Sequence, residues 1–82
     1  MKKYYFSYAN IFVGKDLTMY YLTDREIEVL RLVTQGYSNE QIGRILFISK
    51  HTAKMHVSTI IRKMGAINRS ELAYIAGKEN IC

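Results

Sequence analysis

Lys50, His51, Lys54, Met55, Ser58 and Arg62 recur at spacings that a helix of about 3.6 residues per turn gathers on one side. They supply cations, an imidazole, a small hydroxyl and a thioether, with no carboxylate among them. Such a set can neutralise phosphates and approach base edges, so the chemistry on offer is the holding of a polyanion. The opposite side of the same stretch, with Ala53, Val57, Ile60, Ile61 and Met64, is apolar and reads as core. From Arg44 to Arg69 the chain carries six Lys and Arg and neither Asp nor Glu. The first expectation is therefore a recognition helix for double-stranded DNA. Basic amphipathic helices also suit membrane surfaces and partner proteins, so this stretch alone leaves those readings open.

The elements that must position these residues carry local start and stop signals. Thr23-Asp24-Arg25-Glu26 matches a capping box, with Ile27, Val29, Leu30, Leu32 and Val33 behind it and Gly36 as a left-handed stop. Ser38-Asn39-Glu40-Gln41 is a second box, opening a short helix with Ile42, Ile45 and Leu46 inside. Ser49 caps the long basic helix, which ends at Gly65. Asn68 to Glu71 opens the last helix, which Gly77 is expected to fray or end. The link between the second helix (about 39–46) and the third (about 50–64) is three or four residues. So short a link predicts a helix-turn-helix, with the third helix entering a major groove roughly 12 Å wide. Ser38, Asn39, Ser49 and Thr52 sit at helix starts, where exposed amides favour phosphate oxygens.

Residues 1–21 differ from the rest. Seven of the ten aromatic residues lie there, without helical periodicity, and Tyr, Phe, Val and Ile flank Gly14-Lys15-Asp16. This reads as two short extended pieces with a turn, a β-hairpin that must pack on the helices or on a second copy. The expected architecture is an all-α, four-helix domain over residues 22–82 behind a short extended aromatic segment, 1–21.

Eighty-two residues form one small domain with a net charge of +5, a balance that favours an acidic partner. No apolar run approaches a membrane span, so no membrane association is expected. The single cysteine, Cys82, excludes an internal disulfide and a Cys-based metal site, and fits the reducing cytoplasm. No glycine-rich phosphate loop, metal-ligand spacing or nucleophile–base pairing is visible, so neither an enzyme nor a cofactor is expected. His56, on the border of the core face, reads as a packed histidine, Glu26 as a cap that can also pair with a basic neighbour, and Lys63 and Lys78 as solvent charges.

Leu22-Thr23-Asp24-Arg25-Glu26 with Glu28-Val29-Leu30, Gly36-Tyr37-Ser38-Asn39, Ile42, Leu46-Phe47-Ile48-Ser49, Thr52, Lys54, His56 and Lys63-Met64-Gly65 together resemble the LuxR-type (GerE/FixJ-like) helix-turn-helix domain. The resemblance covers residues 22 to about 77. It implies a bacterial transcription regulator that binds DNA as a dimer, with the third helix in the major groove and the fourth at the dimer interface. It also implies that Lys54, Met55 and Ser58 reach bases or nearby phosphates. Departures from the family pattern are Gln41 for Glu, Gly43 for Ala, Ala53 for Val, Thr59 for Asn and Ala66 for Val. Gly43 inside a helix is expected to cost roughly 0.5–1 kcal/mol relative to alanine.

In the fourth helix, Leu72, Ile75 and Ala76 share a face while Tyr74 points elsewhere; with Glu79, these are the candidate dimer contacts. The dimer is expected to be weak in free solution and formed on DNA. A second reading is a protein-interaction module that pairs with a related regulator and modulates it without strong DNA binding. Ser58, where a lysine or arginine would hold DNA more tightly, keeps that reading open. Most LuxR-type proteins carry a receiver or ligand-binding domain ahead of this one, and 21 residues are too few for either. The expectation is a stand-alone effector or an isolated piece of a longer protein.

Overall fold

The computed structural model describes residues 5–6, 11–13 and 19–78, with side chains from Tyr21 to Lys78. Four helices dominate these residues: α1 (Asp24–Thr34), α2 (Asn39–Leu46), α3 (Lys50–Met64) and α4 (Arg69–Lys78). Ahead of them β1 (Tyr5–Phe6), β2 (Ile11–Val13) and β3 (Met19–Tyr21) form an antiparallel sheet in the order β1-β2-β3. Phe12 stands opposite Phe6 on one side and Tyr20 on the other. Three extended pieces pair where the sequence suggested two, because a strand as short as β1 shows no alternation to read. The expected turn at Gly14-Lys15-Asp16 lies outside the described residues.

Each of the first three helices begins as its cap residues dictate. Thr23 Oγ1 accepts the Glu26 N–H at 3.1 Å, and Glu26 Oε1 accepts the Thr23 N–H at 2.9 Å. Ser38 and Gln41 repeat the arrangement at 3.2 and 2.8 Å, and Ser49 Oγ accepts the Thr52 N–H at 2.9 Å. The fourth start differs slightly. Asn68 Oδ1 accepts the Glu71 N–H at 2.9 Å, while Glu71 reaches back one residue further, to the Ile67 N–H at 2.7 Å. Gly77 does not end α4, which runs through it to Lys78.

Behind these caps lies one core of Leu22, Val29, Leu30, Val33, Ile42, Ala53, Val57, Ile60, Met64, Leu72 and Ala76. All three other helices pack on α3 or on its neighbours: α2 lies chiefly on α3, and α1 touches both α3 and α4. Leu22, the link between β3 and the first cap, is completely buried and ties the sheet to this core. Ile45 is not inside as expected. It is 43% exposed, since Ile42 and Leu46 already fill the inward stripe of so short a helix.

Three helices end in the same motif. A residue just past the helix, the first after α2 and α3 and the second after α1, adopts a left-handed conformation, and the next amide donates to a carbonyl five residues back. The bonds are Tyr37 to Leu32 at 3.1 Å, Ile48 to Gly43 at 2.9 Å and Ala66 to Ile61 at 3.0 Å. Gly36 and Gly65 fill two of the left-handed positions, but the third belongs to Phe47, at φ 58° and ψ 42°. Phe47 is 94% exposed, so no packing among the described residues offsets that strain.

Gly43, by contrast, is required rather than merely tolerated. A Cβ there would stand 2.7 Å from the Ile48 carbonyl oxygen and 3.3 Å from the Lys50 nitrogen. The expected penalty for glycine is therefore overturned: the α2–α3 turn closes directly on its bare backbone. Opposite results follow at the two positions. Phe47→Gly should raise stability by about 0.5–1 kcal/mol, the relief of strain less the extra entropy of unfolded glycine. Gly43→Ala should lower it by about 1–2 kcal/mol, because crowding outweighs helix propensity. Urea denaturation of both variants checks the signs.

Candidate nucleic-acid interface

The sequence pattern places two faces on α3, and the fold separates them. Ala53, Val57, Ile60 and Met64 are buried, whereas Lys50, His51, Lys54, Met55, Ser58 and Arg62 are all exposed. His56 is half-buried on the border between them. The six outward residues expected to meet DNA therefore lie together on one helix face.

Charge sharpens this face. The acids of α1 and α2 are largely engaged: Glu28 with Arg25 at 3.3 Å and Glu40 with Arg44 at 3.5 Å within their own helices, and Glu26 with Lys63 of α3 at 2.7 Å. Among the described residues, Lys50, Lys54 and Arg62 have no ion-pair partner. α1, α2 and α4 open with acidic residues that complement the positive end of the helix dipole. α3 has none in its first turn and begins instead with Lys50. A cation at that end is unfavourable within the isolated domain, and an approaching phosphate relieves it.

The capping hydroxyls also keep a role toward an anion. Ser49 Oγ accepts the Thr52 N–H and donates to Thr52 Oγ1 at 2.9 Å, leaving the Thr52 hydroxyl proton to donate outward. Ser38 Oγ accepts from Gln41, so its own proton is likewise available. Asn39 is more constrained than expected. Its Oδ1 accepts from Arg69, whose guanidinium also donates to the Tyr37 carbonyl. The Asn39 amide group keeps its donors, but the side chain serves first to tie α4 to the start of α2. Arg69 had no local signal in the sequence, standing 30 residues from Asn39.

Lys63 is not a solvent charge. It bonds Glu26 Oε1 at 2.7 Å and lies 5.4 Å from the centroid of the Tyr21 ring. Burial alone would raise the Glu26 pKa, but the bonds from Lys63 and the Thr23 N–H, with the Lys63 charge, hold it below its ordinary value. The Glu26 cap of α1 is thereby pinned to the C-terminal end of α3.

The residues expected at a dimer contact divide. Leu72 and Ala76 are completely buried in the domain's own core and cannot meet a second copy. Their face is the one that α4 turns to its neighbouring helices. Ile75 is half-buried and packed against that core. Tyr74 is 64% exposed, with Lys78 Nζ 5.7 Å from its ring centroid. Glu79 lies outside the described residues. Ile67, just before α4, is 81% exposed and was not singled out from the sequence.

Among the described residues no group of His, Cys, Asp and Glu could hold a metal ion, and no helix is long and apolar enough to cross a membrane. Residues 20–76 match the family described as bacterial regulatory proteins, luxR family. The chain is 51% identical over 53 residues to the transcriptional regulatory protein DegU of Brevibacillus brevis, a match covering 65% of this chain and 22% of that protein. It is 43% identical over 60 residues to the transcriptional activator protein BjaR1 of Bradyrhizobium diazoefficiens, covering 73% and 25%. It is 37% identical over 60 residues to the transcriptional regulatory protein LiaR of Bacillus subtilis, covering 73% and 28%. The chain spans about a quarter of the length of the curated relatives it matches.

Proposed function

The chain belongs to the LuxR family of bacterial regulatory proteins, and from that premise we propose that it regulates transcription by binding specific DNA sites with α3 in the major groove. The observation that carries this reading is the outward face of α3, with three cations unpaired among the described residues and no acid at its start. Lys50, Thr52, Ser38 and Asn39 are suited to phosphates near the groove edge. Lys54, Met55 and Ser58 stand further along α3, where side chains reach base edges. Affinity would come mainly from phosphate contacts and would fall steeply with salt. The reading extends to a cytoplasmic protein that needs no cofactor.

Selection from random-sequence DNA, followed by mobility shift on the selected sites, tests it. A recurrent motif bound more tightly than random DNA supports the proposal. Recovery of no motif would sink it, and would favour the reading in which the domain pairs with a related regulator without reading DNA well.

We further propose two copies on an inverted repeat, with half-sites about one helical turn, roughly 34 Å, apart. With Leu72 and Ala76 committed to the core, Tyr74 is the contact to test. Ile75 is unsuitable, since a charge there would also disturb packing. Tyr74→Glu should abolish cooperative filling of the two half-sites and leave single half-site binding intact. Mobility shifts that show unchanged cooperativity would remove α4 from the interface.

A further inference from the structure

Met55 is the one apolar side chain among the exposed residues on the outward face of α3, and it is 57% exposed. It is not a core residue that missed its place. The buried stripe of the helix is complete without it, and Met55 does not pack against the core. At helical spacing it lies between His51, four residues before, and Ser58, three residues after, with Arg62 further along the same line. Those neighbours donate hydrogen bonds or carry charge. A thioether donates nothing and accepts only weakly. Placed against a phosphate, a base carbonyl or a base amide, it would displace water and give no bond in return.

The major groove offers such a side chain one matching group. Every base-pair edge presents donors and acceptors, and only thymine adds an apolar substituent, its C5-methyl group. Methionine is well suited to reach it, because its flexible, polarizable stem adapts to an off-centre contact. From this we infer that Met55 is a specificity-determining residue that reads a thymine in each half-site through its C5-methyl group. The inference rests on the proposal that α3 is the groove-facing helix, and it names what the middle of that helix recognises.

The test replaces each thymine of the selected half-site, one at a time, by deoxyuridine, which removes the methyl group and leaves base pairing unchanged. The full chain is compared with Met55→Ala and with Met55→Gln, which keeps the stem length but ends in a polar amide. The wild type should lose roughly four-fold in affinity at one thymine, as expected for the burial of about one methyl group. Both variants should bind thymine and deoxyuridine equally at that position. Because Met55 is exposed, both variants should melt with the wild type, which shows that any change is not one of folding. Sequence selection by the wild type with no response to deoxyuridine at any position overturns the methyl contact alone. The same penalty persisting in Met55→Ala also overturns it. A wild type that selects no sequence overturns the groove reading as well, so the two failures are distinguishable.

Discussion

Replacing Glu26 with alanine should destabilise the domain by about 2–3 kcal/mol, lowering its melting temperature by roughly 10–20 °C. Two groups depend on that carboxylate. The Thr23 N–H donates to it at 2.9 Å, Lys63 Nζ at 2.7 Å, and the pair joins α1 to α3 across 37 residues of chain. Its side chain is 7% exposed and that of Lys63 28%. The loss of half a capping box is about 1 kcal/mol. The remainder comes from leaving a partly buried ammonium without its partner, reduced from the fully buried case because Lys63 reaches water. Glu26→Gln keeps an acceptor for Thr23 but removes the charge, so it should be less damaging.

Acid should expose the same interaction. The folded carboxyl has the lower pKa, so the unfolded chain binds the proton first as pH falls. The stabilisation is therefore complete above the ordinary carboxylate value near 4.5 and drains away as pH drops through the lowered folded value. Thermal melts between pH 7 and pH 3 should show the wild type losing stability more steeply than Glu26→Gln below about 4.5. Parallel profiles would show that the ion pair contributes nothing to folding.

Lys54→Glu should weaken DNA binding by more than about a hundredfold with little change in melting temperature, since an exposed residue away from the core carries little stability. Lys54 is exposed, lacks an ion-pair partner among the described residues and lies between Lys50 and Ser58 on the outward face. Reversing its charge there both loses an attraction and adds repulsion from the backbone phosphates. Lys54→Ala separates two kinds of contact. If the ammonium meets a phosphate, all sequences weaken alike and the salt dependence becomes shallower by about one in slope. If it meets a guanine, the loss is confined to the selected site, at about 1–3 kcal/mol. A folded variant binding as the wild type does would exclude α3 from the interface.

Much of this molecule was written locally. The boxes at Thr23 and Ser38 and the caps at Ser49, Gly36 and Gly65 depend on residues within five positions of one another. Local chemistry is enough to place the helix ends. The division of α3 into a buried and a cationic face likewise follows from helical period and residue type, and the fold leaves it intact. The same logic faltered where a pattern was shorter than its period, as in β1, or where two inward stripes competed, as at Ile45.

What remained hidden depends on which elements meet. Glu26 and Lys63 are each unremarkable in their own helices, and only the packing of α1 against the end of α3 makes them a pair. Arg69 gains its partners only when α4 is laid beside the start of α2. Helix propensity marks Gly43 as a weakness, yet the closeness of the Ile48 carbonyl makes it the residue the turn needs. The sequence alone determined four amphipathic helices and a basic outward face, because period and caps are properties of a single segment. Tertiary structure decided that Leu72 and Ala76 face inward and Tyr74 outward, because an apolar stripe states that a helix must be covered but not by which neighbour.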